Sequence, residues 1–292
     1  MGTSLIIGNS INRVGRSGPS WQSLLEDLAA TLGVSTSTEF LAHKPFPLFF
    51  DCLALQGRSQ GFRRSEEVKA IVAQQIGRLT PGKYHTQLMN LRPRHVLTTN
   101  YDLTLEHAAS SSPARSGRDV SGKYNLFRRR IVGDTAVWHL HGCVDEPRTI
   151  VLGYDHYAGS IERMRGYLKR EYHGIRAPFK RGIVELEAEP NYSWIDVFLR
   201  DDMHIVGLGL DFAEIDLWWA IYYKASLRSR GKAVGETHYY VFVDKEPSSA
   251  ELARLDLLAA LRVTVHKVPV VTSNYESAWD DLMNDLQRRF TV

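Results

Sequence analysis

The amino-acid sequence predicts an α/β fold with a doubly wound, largely parallel sheet and helical insertions. Two observations support this prediction. Short apolar runs end repeatedly in polar or glycine-containing turns, as at Gly8, Thr98 and Gly207. Segments whose apolar residues recur at helical spacing lie between these runs, as from Trp21 to Leu32. Because strands and helices alternate in this way, we expect ligands to bind beyond the carboxyl ends of the strands.

Each predicted element has its own signal. The predicted strands are residues 5–7, 96–97, 136–138, 203–206, 239–243 and 263–268. The predicted helices cover residues 21–32, 248–261 and 279–290 and a segment around residues 218–222. Gly33 ends the first helix, and Ser248 with Glu251 forms a capping box at the start of the helix that reaches residue 261.

The whole chain is expected to form one domain, residues 1–292. Its Rossmann-like core covers residues of about 1–34, 91–156 and 201–292. The two remaining segments, of about 35–90 and 157–200, are predicted as mostly helical insertions that cover the ligand edge of the sheet.

Composition excludes several classes of protein. With 292 residues, 43% of them hydrophobic, the chain can bury a core without disulfides. A net charge of +3 is well short of the concentrated positive charge of a nucleic-acid-binding protein. Cys52 and Cys143 form neither a disulfide framework nor a Cys-x-x-Cys zinc pair. Without a membrane-spanning run, secretion signal or myristoylation signal, we predict a cytoplasmic protein that binds neither membranes nor nucleic acid.

The first chemical motif is Thr98-Thr99-Asn100-Tyr101-Asp102, directly after a predicted strand. The Asn100 amide both donates and accepts hydrogen bonds, which suits a ribose hydroxyl or an attacking water. Asp102 is within reach of the same place. The alternative is an ordinary turn in which Asp102 caps the helix that begins near Leu103.

The second motif is His139-Leu140-His141-Gly142. Strand alternation predicts that His139 and His141 share one face, with His141 at the tip of the strand beside the turn at Gly142. His141 is therefore the candidate base, whereas for His139 a core position is favoured over a functional role. A His-x-His metal pair would need further ligands, and no cysteine or carboxylate cluster supplies them, so we predict no metal.

Two glycine-containing turns are candidates for phosphate binding. The first is Gly8-Asn9-Ser10-Ile11-Asn12 and the second is Gly207-Leu208-Gly209. Neither is a Gly-x-Gly-x-x-Gly fingerprint, so ordinary strand-to-helix loops explain each of them equally well.

In combination and order, these motifs resemble the sirtuin family, and more closely its divergent bacterial members that hydrolyse NAD in defence against phage. The matching segments are Gly8 to Asn12, Thr98 to Asp102, His141-Gly142 and Gly207 to Leu210. Protein-deacylating sirtuins carry a four-cysteine zinc module after the catalytic histidine, and this chain lacks those cysteines. It also lacks the Asp-Phe-Arg segment of the first sirtuin loop and has Thr99 where sirtuins have Gln.

The resemblance implies that NAD is the substrate and that no metal takes part. It implies that Asn100 positions the ribose and water, that His141 accepts a proton, and that Asp102 helps to hold the nicotinamide end. The residues predicted to bind the nucleotide are Gly8, Asn9, Ser10, Asn12, Thr99, Gly207, Gly209, Leu210 and Asp244.

The sequence therefore predicts an NAD glycohydrolase that is restrained by homo-oligomerisation, by a regulatory partner protein or by occlusion of its pocket. The alternatives are a catalytically silent sensor of NAD or ADP-ribose and an NAD-dependent protein deacylase. Two further signals are set aside. The match of residues 57–61 to a Gly-x-Ser-x-Gly nucleophile elbow lacks the required strand and helix. The run Arg128-Arg129-Arg130 is interpreted as a solvated face.

Overall fold

A computed structural model describes residues 2–15, 18–35, 44–58, 61, 65–109, 114–116, 123–169, 175–178, 191–244 and 246–290. Within these residues, eight strands form one sheet. The strands are β1 (Thr3–Ile7), β2 (His95–Thr98), β3 (Ala114–Ser116), β4 (Arg129–Val132), β5 (Thr135–His139), β6 (Asp202–Val206), β7 (Thr237–Val243) and β8 (Thr264–Pro269).

The strand order is β3-β4-β5-β2-β1-β6-β7-β8. All neighbours from β5 to β8 pair in parallel, whereas β4 pairs antiparallel with both β3 and β5. The predicted α/β class with a doubly wound, largely parallel sheet is thus confirmed. Because β2 and β6 flank β1 on opposite sides, the chain reverses direction across the sheet at β1, and such switch points form ligand crevices.

Helices connect these strands. They are α1 (Ser10–Arg13), α2 (Trp21–Thr31), α3 (Phe46–Gly57), α4 (Ser65–Ile76), α5 (Lys83–Asn90), α6 (Thr104–Ala108), α7 (Tyr154–Lys169), α8 (Trp194–Arg200), α9 (Ile215–Ser229), α10 (Ser249–Ala260) and α11 (Tyr275–Phe290), with a short 3-10 turn at Pro147–Thr149. The predicted capping box is present, since Ser248 and Glu251 exchange side-chain and backbone hydrogen bonds. The described residues of the two predicted insertions form α3, α4, α5, α7 and α8 and the loops between them.

Both faces of the sheet are buried. Side chains alternate along each strand, so Leu97, Trp138 and Ile205 join the apolar cluster on one face. Their neighbours Val96, Val137 and Val206 join a second cluster, on the other face. A third cluster links α2, α3 and α4 beside the carboxyl ends of the central strands. Helices α3 and α4 of the first insertion therefore pack against α2 next to the ligand edge, whereas α5, α7 and α8 join the two clusters on the sheet faces.

The solvated-face interpretation of the Arg128-Arg129-Arg130 run is wrong. These residues begin β4 or lie beside it, and Arg130 is only 9% exposed. Its guanidinium pairs with Asp145 and lies 3.6 Å from Glu106 Oε1. The run is not a solvated face because β4 pairs antiparallel with β5, a pairing that the charged residues alone did not indicate.

In the described part of the chain, every helix is too short or too polar to cross a lipid bilayer. Ser59, the central residue of the Gly-x-Ser-x-Gly match, lies outside the described residues.

Candidate functional site

The carboxyl ends of the central strands open into a cavity of about 640 Å³. Small-molecule sites in proteins commonly have volumes of about 300–1,000 Å³. Eight of the twelve predicted site residues line this cavity, namely Asn9, Ser10, Thr99, Asn100, Asp102, His141, Gly207 and Gly209. Helical insertions supply part of its wall through Phe46, Pro47 and Ile76. The structure thus brings Asn100 and His141 to one cavity.

Four predicted residues lie elsewhere. Gly8 and Asn12 stand behind the cavity wall and hold its residues through hydrogen bonds. Leu210 is fully buried in the apolar cluster that includes Trp138. Asp244, at the end of β7, accepts a hydrogen bond from the Ser273 hydroxyl. None of the four is a lining residue, so direct contact with a nucleotide in this cavity is not supported for them.

Hydrogen bonds hold the backbone N–H of Asn100 and the nitrogen of its side-chain amide. Its backbone N–H donates to Thr98 Oγ1 at 3.0 Å, and Thr98 in turn donates to the Ile7 carbonyl of β1 at 2.8 Å. Its Nδ2 donates to the Gly8 carbonyl at 3.3 Å. No hydrogen bond reaches Asn100 Oδ1 from the described part of the chain. This arrangement leaves the amide oxygen as an acceptor for a ligand.

Gly8 is a glycine because two turns meet there. A Cβ on Gly8 would lie 2.5 Å from the Gly207 carbonyl oxygen, far inside a normal contact. The Gly8 N–H also donates to the Val206 carbonyl at 2.9 Å. The turns after β1 and β6 can therefore approach closely enough to form one floor of the cavity.

His141 lies just beyond β5, in a turn that requires Gly142. Gly142 has φ +85°, and a Cβ there would lie 2.4 Å from the Thr149 carbonyl oxygen. The His141 ring is 1% exposed, and its Nε2 lies 3.0 Å from Asp216 Oδ2. Tyr157 contacts the ring edge to face, with centroids 5.3 Å apart. Nδ1 has no hydrogen-bond partner in the described residues, so it is the nitrogen left for a ligand.

Electrostatics favours the charged form of His141. Burial by itself lowers the pKa of this imidazole, but the neighbouring Asp216 carboxylate outweighs burial and leaves the pKa raised. The Ser160 hydroxyl donates to the same Asp216 oxygen at 3.1 Å and so fixes the carboxylate. The pair has the arrangement of a base oriented by a buried acid.

The prediction that His139 and His141 share one face is wrong. β5 ends at His139, so the alternation of a strand does not extend to His141. His139 contacts Glu106 of α6, whereas His141 contacts Asp216 of α9. The turn at Gly142 redirects the chain between them.

His139 supports Asn100 from outside the cavity. Its Nδ1 lies 2.9 Å from the Asn100 carbonyl oxygen, and its Nε2 lies 2.7 Å from Glu106 Oε1. Because each nitrogen faces an acceptor, both must carry protons to make both bonds. Burial lowers the pKa of His139, yet Glu106 raises it more, and the pKa of Glu106 is lowered in return despite its burial. A buried ion pair thus holds the Asn100 backbone.

Asp102 is engaged by protein donors. Its Oδ1 accepts from the Thr104 N–H at 3.0 Å and from the Thr104 hydroxyl. Its Oδ2 accepts from Asn12 Nδ2 at 2.7 Å, and Asn12 Oδ1 lies 3.0 Å from His85 Nε2. The turn-forming alternative therefore describes the hydrogen bonds of Asp102, although the residue also lines the cavity.

Sequence reasoning missed two acidic residues at the start of α9. Asp216 contacts His141, and the half-buried Glu214 lines the same cavity. Burial raises the pKa of Glu214 to about 7, with Asp216 and Asp211 adding to the increase and His141 opposing it. The available signal was the acidic series Asp211, Glu214 and Asp216 directly after the second glycine turn.

The described residues contain no group of three or more His, Cys, Asp or Glu side chains arranged to hold a metal ion.

Comparison with known proteins identifies the family. The family model described as the SIR2-like domain matches residues 94–266, more than half of the chain. The match runs from the start of β2 into β8 and includes Asn100, His141 and Gly207, but it begins after the first glycine turn. A search of curated proteins returned no match. The predicted sirtuin-like resemblance is thereby confirmed, and the chain belongs to the SIR2-like domain family, whose members are in general NAD-dependent enzymes.

Proposed function

We propose that the protein is an NAD glycohydrolase, which cleaves NAD to nicotinamide and ADP-ribose. The observation that carries this proposal is the cavity shared by Asn100 and by a His141 ring backed by a buried carboxylate. In the reaction, the bond between the ribose carbon and the nicotinamide nitrogen breaks and a bond to a water oxygen forms. The water proton is released.

Few catalytic groups are needed for this reaction. The nicotinamide of NAD is a cationic leaving group, so the bond breaks without an acid to protonate it. The protein must orient the ribose, place a water and accept the proton. A carboxamide and an imidazole at one cavity supply these functions.

His141 is proposed as the base. With Nε2–H directed at Asp216, Nδ1 is the basic nitrogen on the cavity side. Asp216 fixes the tautomer and stabilises the imidazolium that forms after proton transfer. Because a base must be neutral to act, the raised pKa of His141 makes activity increase as the pH rises through that value.

Asn100 and Glu214 are proposed to position the ribose and water. The free amide oxygen of Asn100 accepts from a ribose hydroxyl or from the water. Glu214 lines the cavity with a pKa of about 7, so near neutral pH it exists in both protonation states. Its titration and that of His141 influence one another, and the pH profile reports the pair.

Charge in the cavity is compatible with NAD. Asp102, Asp211 and Glu214 line it near the histidine and favour a cationic nicotinamide ribose. We propose that Asp102 acts mainly as a positioning residue, since protein donors already occupy both of its oxygens.

Detection of nicotinamide by mass spectrometry tests this function. Purified wild type is incubated with NAD beside the variants Asn100→Ala and His141→Ala. Matched controls are Asn90→Ala and His107→Ala, which change exposed residues outside the cavity. We expect nicotinamide from wild type and controls, and a loss of about 100-fold or more in the two cavity variants. Equal release from all five proteins, or tight NAD binding without release by wild type, contradicts the proposal; the second result indicates a sensor.

We further propose that the activity is regulated, as in the anti-phage NAD hydrolases that the sequence resembles. A freely active NAD hydrolase would deplete its own cell, so we expect it to be restrained by self-association, by a regulatory partner or by occlusion of the pocket by the insertions. Activity measured against protein concentration, with the oligomeric state determined in parallel, tests this. Full activity of an isolated monomer contradicts it.

A further inference from the structure

The cavity has positive as well as negative side chains. Beside the acidic residues described above, its lining includes Arg13 and Arg254. Arg13 ends α1 and is exposed, whereas Arg254 lies on α10 and is half-buried. Of the two, only Arg254 is partly removed from water, so its surroundings decide what it binds.

Arg254 forms no direct hydrogen bond or ion pair in the described part of the chain. Its buried Nε is without an acceptor among those residues. The acidic neighbour one turn earlier, Glu251, accepts from the Ser248 N–H at 2.8 Å and from the Ser248 hydroxyl at 2.7 Å. That carboxylate therefore caps α10. The Ser248 hydrogen bonds lower the pKa of Glu251 and the Arg254 charge adds to this effect, but the carboxylate does not make a direct ion pair with the guanidinium.

A guanidinium at a cavity wall whose buried Nε–H has no acceptor in the described residues points to an anionic ligand. A buried N–H without an acceptor costs free energy, so such groups are nearly always satisfied by protein, water or ligand. A guanidinium presents parallel N–H groups whose spacing matches two oxygens of a phosphate. Of the groups on a dinucleotide, the phosphates are the ones that this geometry fits best.

Arg254 also lies close to the second glycine turn. Burial raises the pKa of the Tyr239 phenol to about 12, and the Arg254 cation is near enough to oppose that increase. The Tyr239 hydroxyl donates to the Leu208 carbonyl at 3.0 Å. Leu208 lies between Gly207 and Gly209, at the turn that sequence analysis singled out for phosphate binding. Arg254, Tyr239 and this turn all line the same cavity.

We propose that Arg254 binds a phosphate group of the nucleotide and thereby selects phosphate-bearing substrates. This inference rests on the proposed nucleotide function of the cavity. Two kinds of phosphate group are candidates for binding Arg254. One is the diphosphate shared by NAD and ADP-ribose, and the other is the 2′-phosphate that distinguishes NADP.

Binding of the reaction products tests this without requiring turnover. Isothermal titration calorimetry measures the Kd of ADP-ribose and of 2′-phospho-ADP-ribose for wild type, Arg254→Gln and Arg254→Lys. The control is Arg262→Gln, which removes the same charge from an exposed residue outside the cavity. Charge-assisted hydrogen bonds of this kind predict a loss of about 10- to 100-fold in Arg254→Gln. Arg254→Lys should retain part of the affinity, and Arg262→Gln should bind like wild type.

Comparing the two ligands shows which phosphate group binds Arg254. Weaker binding of both ligands in Arg254→Gln assigns the diphosphate, whereas weaker binding of the 2′-phosphorylated ligand alone assigns the 2′-phosphate. Unchanged affinity for both ligands, with thermal melting showing a folded variant, overturns the inference. If wild type binds ADP-ribose through Arg254 but releases no nicotinamide from NAD, the inference stands and the proposed hydrolase activity fails.

Discussion

Replacing Asp216 with asparagine removes the anion that faces His141 while keeping the shape of the side chain. In the wild type, burial lowers the pKa of His141 and Asp216 raises it, with the carboxylate prevailing. In Asp216→Asn burial is opposed only by the smaller effect of the Glu214 charge, so the pKa of His141 falls. The acid limb of the activity profile should therefore move to lower pH.

The size of the effect follows from the burial of the pair. His141 and Asp216 are 1% and 2% exposed, and their facing atoms are 3.0 Å apart. Breaking one partner of a buried ion pair costs about 3–5 kcal/mol of stability, and the neutral amide places this variant at the lower end. The maximal rate should fall about 100-fold, because the imidazole loses the group that fixes its tautomer and stabilises its charge.

The stability difference has a defined pH dependence. Since the pKa of His141 is raised in the folded state, the pair contributes fully below its ordinary value of 6.5. The contribution disappears as the pH rises through the raised pKa. Urea unfolding of wild type and Asp216→Asn should thus differ most below pH 6.5 and converge at alkaline pH.

The assay is nicotinamide release from NAD across pH 5–10, a range chosen to span the ordinary pKa of histidine, about 6.5. The matched control is Asp256→Asn, which makes the same substitution at an exposed position of α10 outside the cavity. The control should keep both the profile and the rate of wild type. An unchanged acid limb in Asp216→Asn, or a limb displaced to higher pH, would refute the assignment of His141 as a base tuned by this carboxylate.

Three further predictions concern the supporting residues. His139→Gln can no longer donate to both Asn100 and Glu106, so kcat should fall about 10-fold with KM for NAD unchanged; a change confined to KM would contradict the positioning role. Glu214→Gln should remove the titration near pH 7 from the rate profile, and a profile that keeps it would assign that titration to another group. Gly142→Ala should reduce the free energy of unfolding by about 1–3 kcal/mol in denaturant titrations, because its Cβ meets the backbone of the 3-10 turn and its φ is positive. A variant as stable as wild type would show that this turn is not constrained as described.

The sheet and the meeting of the two motifs could be predicted from the sequence. Buried parallel strands are short apolar runs, and the runs ending at Gly8, Thr98 and Gly207 identify three of them. Carboxyl ends of parallel strands share one edge, so polar residues just after them converge. This is why Asn100 and His141 share a cavity although β2 and β5 are separated by the antiparallel strands in the chain.

The partners of these residues could not be predicted in the same way. The contact between His141 and Asp216 depends on how α9 packs against the turn after β5, a long-range packing that leaves no local pattern. The orientation of His141 depends on where β5 ends. The prediction applied the alternation of a strand as far as His141, but β5 ends at His139. β4 was not predicted because it begins with two arginines, and a charged run does not indicate a strand; the partner of Arg130, the buried Glu106, lies far away in the sequence.

The central claim is that Asn100 and His141 act on one ligand. A crystal structure of inactive His141→Ala soaked with NAD tests it most directly. The account predicts the nicotinamide ribose in this cavity, with a ribose hydroxyl or a water on the Asn100 amide oxygen and the space of the missing imidazole beside the same sugar. NAD bound at another place, or in this cavity with its nicotinamide ribose away from both residues, would contradict it.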